Sequence, residues 1–389
     1  MHVFHFADTH LGFAESSRVA PDSGVNLREQ DAYDAFNAVI DEAARCRPDL
    51  VVHAGDLFHS PRPSNRAIVT AMAGFKRLSE AGISVVLIAG NHSVPRMTTT
   101  TSIFAALSMF PGVKAAYQAR YEVFEVGDAA VHCVPHAPTD EALRDALSQV
   151  RRREDKPFNL LVTHGAVHGT VEDQSLGEFN EVAISRDSLG RFSGFDYVAL
   201  GHYHRHKQVS ANAWYSGSTE RFSTKEAGYP KGFVELTLPS REVRFRPLPT
   251  REIVVAPVID CREHRPDEVI SRVEKALAKL APARGHIVIL KLQEVDPVAW
   301  SELQRERRRI EKERLPDCFE LRWERTFATS VPGRGPLGPG IGSLQAEFAA
   351  FMRSGSNMGG VSVMGLDRER LRKLGERFLS DAEDQEVVG

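Results

Sequence analysis

Asp8-Thr9-His10, Gly55-Asp56, Gly90-Asn91-His92, His164-Gly165 and Gly201-His202-Tyr203-His204 supply carboxylate, carboxamide and imidazole groups from five separate places in the chain. Hard oxygen donors mixed with imidazole suit manganese or iron-like divalent ions, and zinc less exclusively. Two such ions about 3.5 to 4 Å apart can grip the attacking and leaving oxygens of an in-line phosphoryl displacement and activate water near neutral pH. The residue types therefore predict a two-metal centre for phosphoester hydrolysis, with Asp56 as the carboxylate shared between the ions. Taken singly, each block is ordinary. Asp-x-His is commonly a cap or surface pair, and Gly-Asn a turn in which both residues tolerate positive φ. The conjunction carries the reading.

Each block follows a β-rich apolar run: Val3-Phe4-His5-Phe6-Ala7, Leu50-Val51-Val52-His53-Ala54, Val85-Val86-Leu87-Ile88-Ala89, Leu160-Leu161-Val162-Thr163 and Tyr197-Val198-Ala199-Leu200. Continuous runs of this kind are strands buried on both faces, and polar residues just past such strands converge on one rim. Between the first three, Tyr33, Phe36, Ile40 and Ala43, then Ile68, Met72, Phe75 and Leu78, recur at helical spacing. Gly82 closes the second helix, and a strand begins at Ile83. The alternation predicts βαβ units in an α/β fold. Shorter runs at 121–126, 130–134, 214–216 and 232–238 predict a second, mixed sheet packed on the first. The expected architecture over 1–248 is a two-layer β sandwich flanked by helices.

A chain of 389 residues is too long for one ordinary core, so two domains and an appendage are expected. No apolar stretch reaches the roughly 20 residues of a membrane span, and no basic-then-apolar leader opens the chain, which points to the cytoplasm. Cys46, Cys133, Cys261 and Cys318 are scattered without Cys-x-x-Cys spacing, so they are read as free thiols. A net charge of −3 argues against coating nucleic acid by bulk charge, so any DNA contact needs a local basic face. Arg62, Arg66 and Arg96 are the candidates near the motif loops, followed by Arg221 and Lys225. Arg151-Arg152-Arg153, diluted by Glu154 and Asp155, reads as a solvated helix end, and 305–309, among glutamates, as an exposed helical face. The chain shows neither a Walker loop nor a Ser-His-Asp order, and therefore needs no covalent nucleophile.

The metal blocks resemble the calcineurin-like metallophosphoesterase superfamily. The run Gly55-Asp56-Leu57-Phe58-His59-Ser60-Pro61-Arg62-Pro63-Ser64 resembles its SbcD-type DNA repair nuclease branch. The likeness spans about residues 1–250. It implies that Asp8, His10, Asp56 and His204 hold one metal, most readily manganese, while Asp56, Asn91, His164 and His202 hold the other. It further implies that His92 faces the scissile phosphate as acid or charge stabiliser, with His59 as a second phosphate-side histidine. One departure is Ser93, where many relatives carry an aspartate that orients the histidine. His53, His136, His168 and His206 follow no spacing rule and are read as core or loop residues.

After Pro247-Leu248-Pro249, residues 249–328 predict a smaller α+β domain: strand 253–259, helix 266–280, strand 286–292, helix 297–313 and strand 319–323. Asp296-Pro297 supplies a cap and first-turn pair for the second helix. The resemblance makes this a DNA-capping domain. Residues 332–340 have linker composition, and 329–389 carry two short amphipathic helices, 344–352 and 368–379, too short to stand alone. They are expected to dock on the chain itself or, by resemblance, on an SbcC-like coiled-coil ATPase. The resemblance also implies a homodimer that cuts DNA as exonuclease and endonuclease in double-strand-break repair. A phosphatase, a cyclic nucleotide phosphodiesterase and a weakly catalytic DNA-end tether (suggested by Ser93) are the alternatives on this scaffold.

Overall fold

The computed structural model describes residues 1–327 apart from 17, 94–101, 170–180 and 281–282. Arg96 and the tail helices therefore lie outside the described residues. The first sheet is six-stranded, ordered Glu242–Pro247, Gly232–Thr237, His2–Phe6, Leu50–His53, Ser84–Ile88 and Val113–Ala116. From His2–Phe6 onward its strands are parallel. Helices Leu27–Cys46 and Asn65–Glu80 make the first two crossovers. The second sheet, also six-stranded, runs Lys207–Ser210, Ala213–Tyr215, Tyr197–Gly201, Phe158–His164, Ala129–Val134 and Glu122–Val126.

Both faces of the first sheet are covered, which explains why its runs are apolar without alternation. Phe4, Phe6, Val51, Val85 and Leu87 pack outward on Phe36, Ile40, Phe75 and Leu78 of the two helices. Val3, Leu50, Val52, Val86 and Ile88 point inward and meet Val131, Cys133, Leu160, Val162 and Ala199 of the second sheet. The outer face of that second sheet is closed by Leu143, Ala146 and Leu147 of helix Asp140–Gln149. This is the α/β sandwich the runs predict, with one correction. Gly232–Thr237 does not join the second sheet but pairs antiparallel with His2–Phe6 in the first. An alternating run states that a strand exists, not which neighbour's edge is open to receive it.

Side-chain caps start the crossover helices. Asn26 accepts from the backbone N–H groups of Arg28 and Glu29, and Ser64 from that of Ala67. The two helices cross closely at Gly74, where an added Cβ would stand 2.6 Å from Cε1 of Phe36. In an exposed helix, Gly→Ala stabilises by up to ~1 kcal/mol. Here Gly74→Ala is expected to destabilise by about 1 to 3 kcal/mol, because the helices must part to admit the methyl group. Urea denaturation tests the sign; a raised midpoint would contradict the packing argument.

A third sheet follows the prolines. Ile287–Val295 is its centre, paired in parallel with Ile253–Val255 and Ile259–Asp260 along one edge and with Glu320–Phe327 along the other. The strand read as 253–259 is thus two pieces on one edge. Pro257, which has no N–H to give, falls in the gap. Helices Pro266–Ala278 and Pro297–Arg314 bury Val269, Val273, Leu277, Ala299, Leu303 and Ile310 on one face of this sheet. On its other face Ile253, Ile287, Ile289 and Phe319 pack with Leu27 and Ala227 of the preceding chain. Arg251 reinforces that contact, donating to both oxygens of Asp31 at 2.7 Å while its guanidinium lies 3.8 Å over the Phe319 ring. Among the described residues, no helix is long and apolar enough to cross a membrane.

Candidate metal centre

The parallel strands His2–Phe6, Leu50–His53 and Ser84–Ile88, together with Phe158–His164 and Tyr197–Gly201, end at one rim between the two large sheets. Beyond the first two, the loops zip together: Asp8 N donates to Gly55 O at 3.0 Å, His10 N to Asp56 O at 3.0 Å and Leu11 N to Leu57 O at 2.9 Å. The turns are sharp. Asp8, His10, Asp56 and His202 all have left-handed backbone, with φ of 52°, 42°, 52° and 105°. Non-glycine residues seldom adopt this conformation, and clusters of it mark sites where the fold imposes geometry on function.

Three glycines make the room. A Cβ on Gly55 would overlap the His164 ring, one on Gly90 would overlap Oδ1 of Asp56, and one on Gly201 would overlap the carbonyl oxygen of Ala54. Gly55 additionally has φ of 104°. The Gly in these motifs is therefore a condition for the neighbouring donor to occupy its place.

All seven expected ligands come together. Oxygen or nitrogen atoms of Asp8, Asp56 and His164 lie within 4.8 Å of one another, as do those of Asp8, His10 and His204. Asn91 Oδ1 bridges toward both His164 Nε2, at 2.9 Å, and His202 Nδ1, at 3.3 Å. His202 is anchored by its backbone N–H, which donates to the carboxylate of Asp8 at 3.0 and 3.1 Å.

The chemistry of these contacts fits a cation. His164 Nδ1 donates to the carbonyl of Ala54 at 2.9 Å, which leaves Nε2 with a lone pair. That lone pair faces Asp56 Oδ2 at 3.2 Å, a buried oxygen with no hydrogen-bond donor among the described residues. Nε2 of His10 and of His204 likewise face each other at 3.1 Å. Converging lone pairs of this kind are held by a metal ion or, without one, by a proton. Burial opposes that proton on His164, but the Asp56 carboxylate beside it raises the ring's pKa to about 9. Asp56 itself is held well below the ordinary carboxylate range: burial works against this, and His164, His10 and His92 outweigh it.

Sequence reading missed the carboxylates that stand beside two of the expected ligands. His204 Nδ1 lies 3.0 Å from Oε1 of Glu226, and His202 Nε2 3.4 Å from Oε1 of Glu181. No spacing rule joins these carboxylates to the histidines; only the folded loops do. His59 and His92 stand beside the cluster, half-buried, with rings stacked at 5.5 Å. His92 N donates to Asp56 Oδ1 at 2.9 Å, and His92 Nδ1 lies 3.1 Å from the carbonyl oxygen of His59. A backbone carbonyl thus orients the His92 ring. Ser93 is buried, with no hydrogen-bond partner for its hydroxyl among the described residues.

The basic candidates divide. Arg62 and Arg66 are exposed on the loop and first helical turn that follow Asp56, and Arg66 pairs with Glu29 at 3.5 Å. Lys225 is exposed. Arg221 is a correction: it is buried, and its guanidinium binds Thr250 and Glu252, each at 2.7 Å, so it joins the third sheet's lead-in to the first two sheets rather than facing DNA. Arg153 is occupied by Asp155 and Glu125, as its acidic neighbours suggested. His53 and His136 are core residues close to the centre, His53 lying 3.2 Å from the Thr9 hydroxyl.

The rim geometry, the mixed oxygen and imidazole donors and the α/β sandwich define a class, and the comparison with known families agrees. The profile described as calcineurin-like phosphoesterase matches residues 1–206, and the chain belongs to that family. It is accordingly a hydrolase of the phosphoesterase class. Three relatives are named DNA double-strand break repair protein Mre11. The Sulfurisphaera tokodaii protein is 30% identical over 204 residues, 52% of this chain and 48% of that one. The Haloferax volcanii protein is 30% identical over 300 residues, 75% of this chain and 61% of its own length. The Methanocaldococcus jannaschii protein is 31% identical over 229 residues, covering 57% of each. The chain spans about half the length of the curated relatives it matches.

Proposed function

We propose that this chain is a metal-dependent DNA phosphodiesterase, an exonuclease and endonuclease of the SbcD type that processes double-strand breaks. The observation that carries the reading is the seven-residue donor set at one rim with two histidines, His59 and His92, along its margin. The names of the relatives support DNA as substrate, and exposed Arg62 and Arg66 offer cations beside the same loop.

Asp8, His10, Asp56 and His204 would hold one ion, and Asp56, Asn91, His164 and His202 the other, manganese being the best match to the donors. Bound there, two divalent ions supply the charge that activates water near neutral pH and offsets charge on the phosphoryl oxygens. His92, fixed through Nδ1 by the His59 carbonyl, faces the phosphate, where an imidazolium protonates the leaving oxygen or stabilises developing charge. His59 stacks on that ring and braces it. The sheet over 249–328 acts as a DNA-capping domain. Its lead-in residues bind Arg221, next to Phe222, whose ring lies 4.9 Å from His10. The segment 329–389 docks on a coiled-coil ATPase of the SbcC kind, and the nuclease works as a homodimer.

End-labelled duplex DNA, an aryl phosphate monoester and a cyclic nucleotide are to be offered with manganese, with Asp56→Asn as control. The expected result is manganese-dependent shortening of DNA, absent in the variant. Turnover of the small esters with intact DNA would move the chain to the phosphatase or nucleotide branch of the scaffold.

A further inference from the structure

Glu226 and Lys231 form an ion pair buried beneath the metal centre, each under a tenth exposed. Burying two charges seldom adds stability over an apolar pair of similar volume, so such a pair invites a search for what it holds in place. What it holds is His204. Glu226 Oε1 lies 3.0 Å from His204 Nδ1 and also accepts from Phe222 N at 3.2 Å. A carboxylate can only accept, and Lys231 Nζ and the Phe222 N–H both donate to this one. The Nδ1 proton therefore points at Glu226, and Nε2 presents its lone pair to His10 and Asp8.

Lys231 grips the other end of the same residue. Its Nζ donates to the His204 carbonyl at 2.7 Å and to Ser218 Oγ at 2.8 Å, besides the Glu226 carboxylate. All three ammonium donors are used, and His204 is fixed at both ring and backbone. In the other half of the centre, His164 takes its tautomer from a backbone carbonyl, so that half stands apart from this pair.

We infer that Glu226, braced by Lys231, is the positioning residue of His204 and sets the metal affinity of only that position of the centre to which His204 belongs. This rests on His204 being a ligand, as proposed above. Partners of this kind, bonded to the far nitrogen of a liganding histidine, change metal affinity by about 10- to 100-fold.

The test is calorimetric titration of the metal-free full chain with manganese, without DNA, comparing wild type, Glu226→Gln and the double variant Glu226→Leu with Lys231→Met, which removes both buried charges together. Wild type is expected to bind two ions. The double variant is expected to lose about 10- to 100-fold in one binding event and nothing in the other, with Glu226→Gln in between. Two unchanged events, or two events weakened in parallel, would overturn the inference while leaving the ligand assignment standing. If the double variant does not fold, Glu226→Gln alone is judged by the same outcomes. A wild-type chain that binds no manganese would instead overturn the ligand assignment, and the inference with it.

Discussion

His92→Ala is expected to lower the single-turnover rate of DNA cleavage by roughly 10²- to 10⁴-fold with both metals still bound, the range typical of a lost general acid. Alanine keeps the backbone N–H that donates to Asp56 Oδ1, so the arm of His92 that touches the ligand set survives. What is lost is the ring, whose Nδ1 is tied to the His59 carbonyl and which is proposed to face the substrate. A leaving group of low pKa needs no proton, so an aryl phosphodiester should suffer much less than DNA. Metal content is measured on the same samples. Metal lost along with activity would make His92 a structural support of the centre, and equal losses on both substrates would remove the acid role.

Chelation is expected to lower the melting temperature by about 10 °C or more, and manganese to restore it. A ligand at 100 times its dissociation constant stabilises by about 2.7 kcal/mol per site, and domains of 150–250 residues shift by roughly 2 to 4 °C per kcal/mol. Two sites therefore give about 10 to 20 °C. Asp56→Asn should abolish most of this response, because its side chain is the carboxylate proposed to be shared by both ions, while the metal-free variant melts within a few degrees of metal-free wild type. Differential scanning fluorimetry over a manganese series reads both quantities. A metal response that survives in Asp56→Asn would exclude Asp56 as the bridge.

Much of this was legible before folding because burial on two faces leaves a local trace. Val3 to Ala7 are buried at every position, since alternate residues serve the helices and the second sheet, and the one polar member, His5, meets the Tyr197 hydroxyl at 3.0 Å. Ligand blocks are legible for a related reason: a sharp turn past a strand demands glycine, and Gly55, Gly90 and Gly201 each leave space that a neighbouring donor or carbonyl fills. What was not legible is whatever depends on a distant partner. The strand at 232–237 is plain, but its place beside His2–Phe6 depends on which edge is open. Arg221 reads as a surface cation until Thr250 and Glu252 close over it. Glu226 carries no spacing signature because two short strands, Lys207–Ser210 and Ala213–Tyr215, lie between it and His204, and only their pairing and the 3-10 turn Thr224–Glu226 bring the two together.

The pairing of His2–Phe6 with Gly232–Thr237 also sets a timetable. The terminal amine donates to the carbonyl of Leu238, 237 positions along the chain, at 2.8 Å. A chain emerging at about 5 to 20 residues per second leaves its first strand without that neighbour for roughly 10 to 50 seconds. Throughout that interval an apolar edge lies open to any other extended segment nearby. Asp8 and His10 at its end wait as long for His202 and His204. With the ligand set proposed above, metal capture comes late in biogenesis, once the second sheet has been made, and the open edge is exposed to neighbouring chains until then.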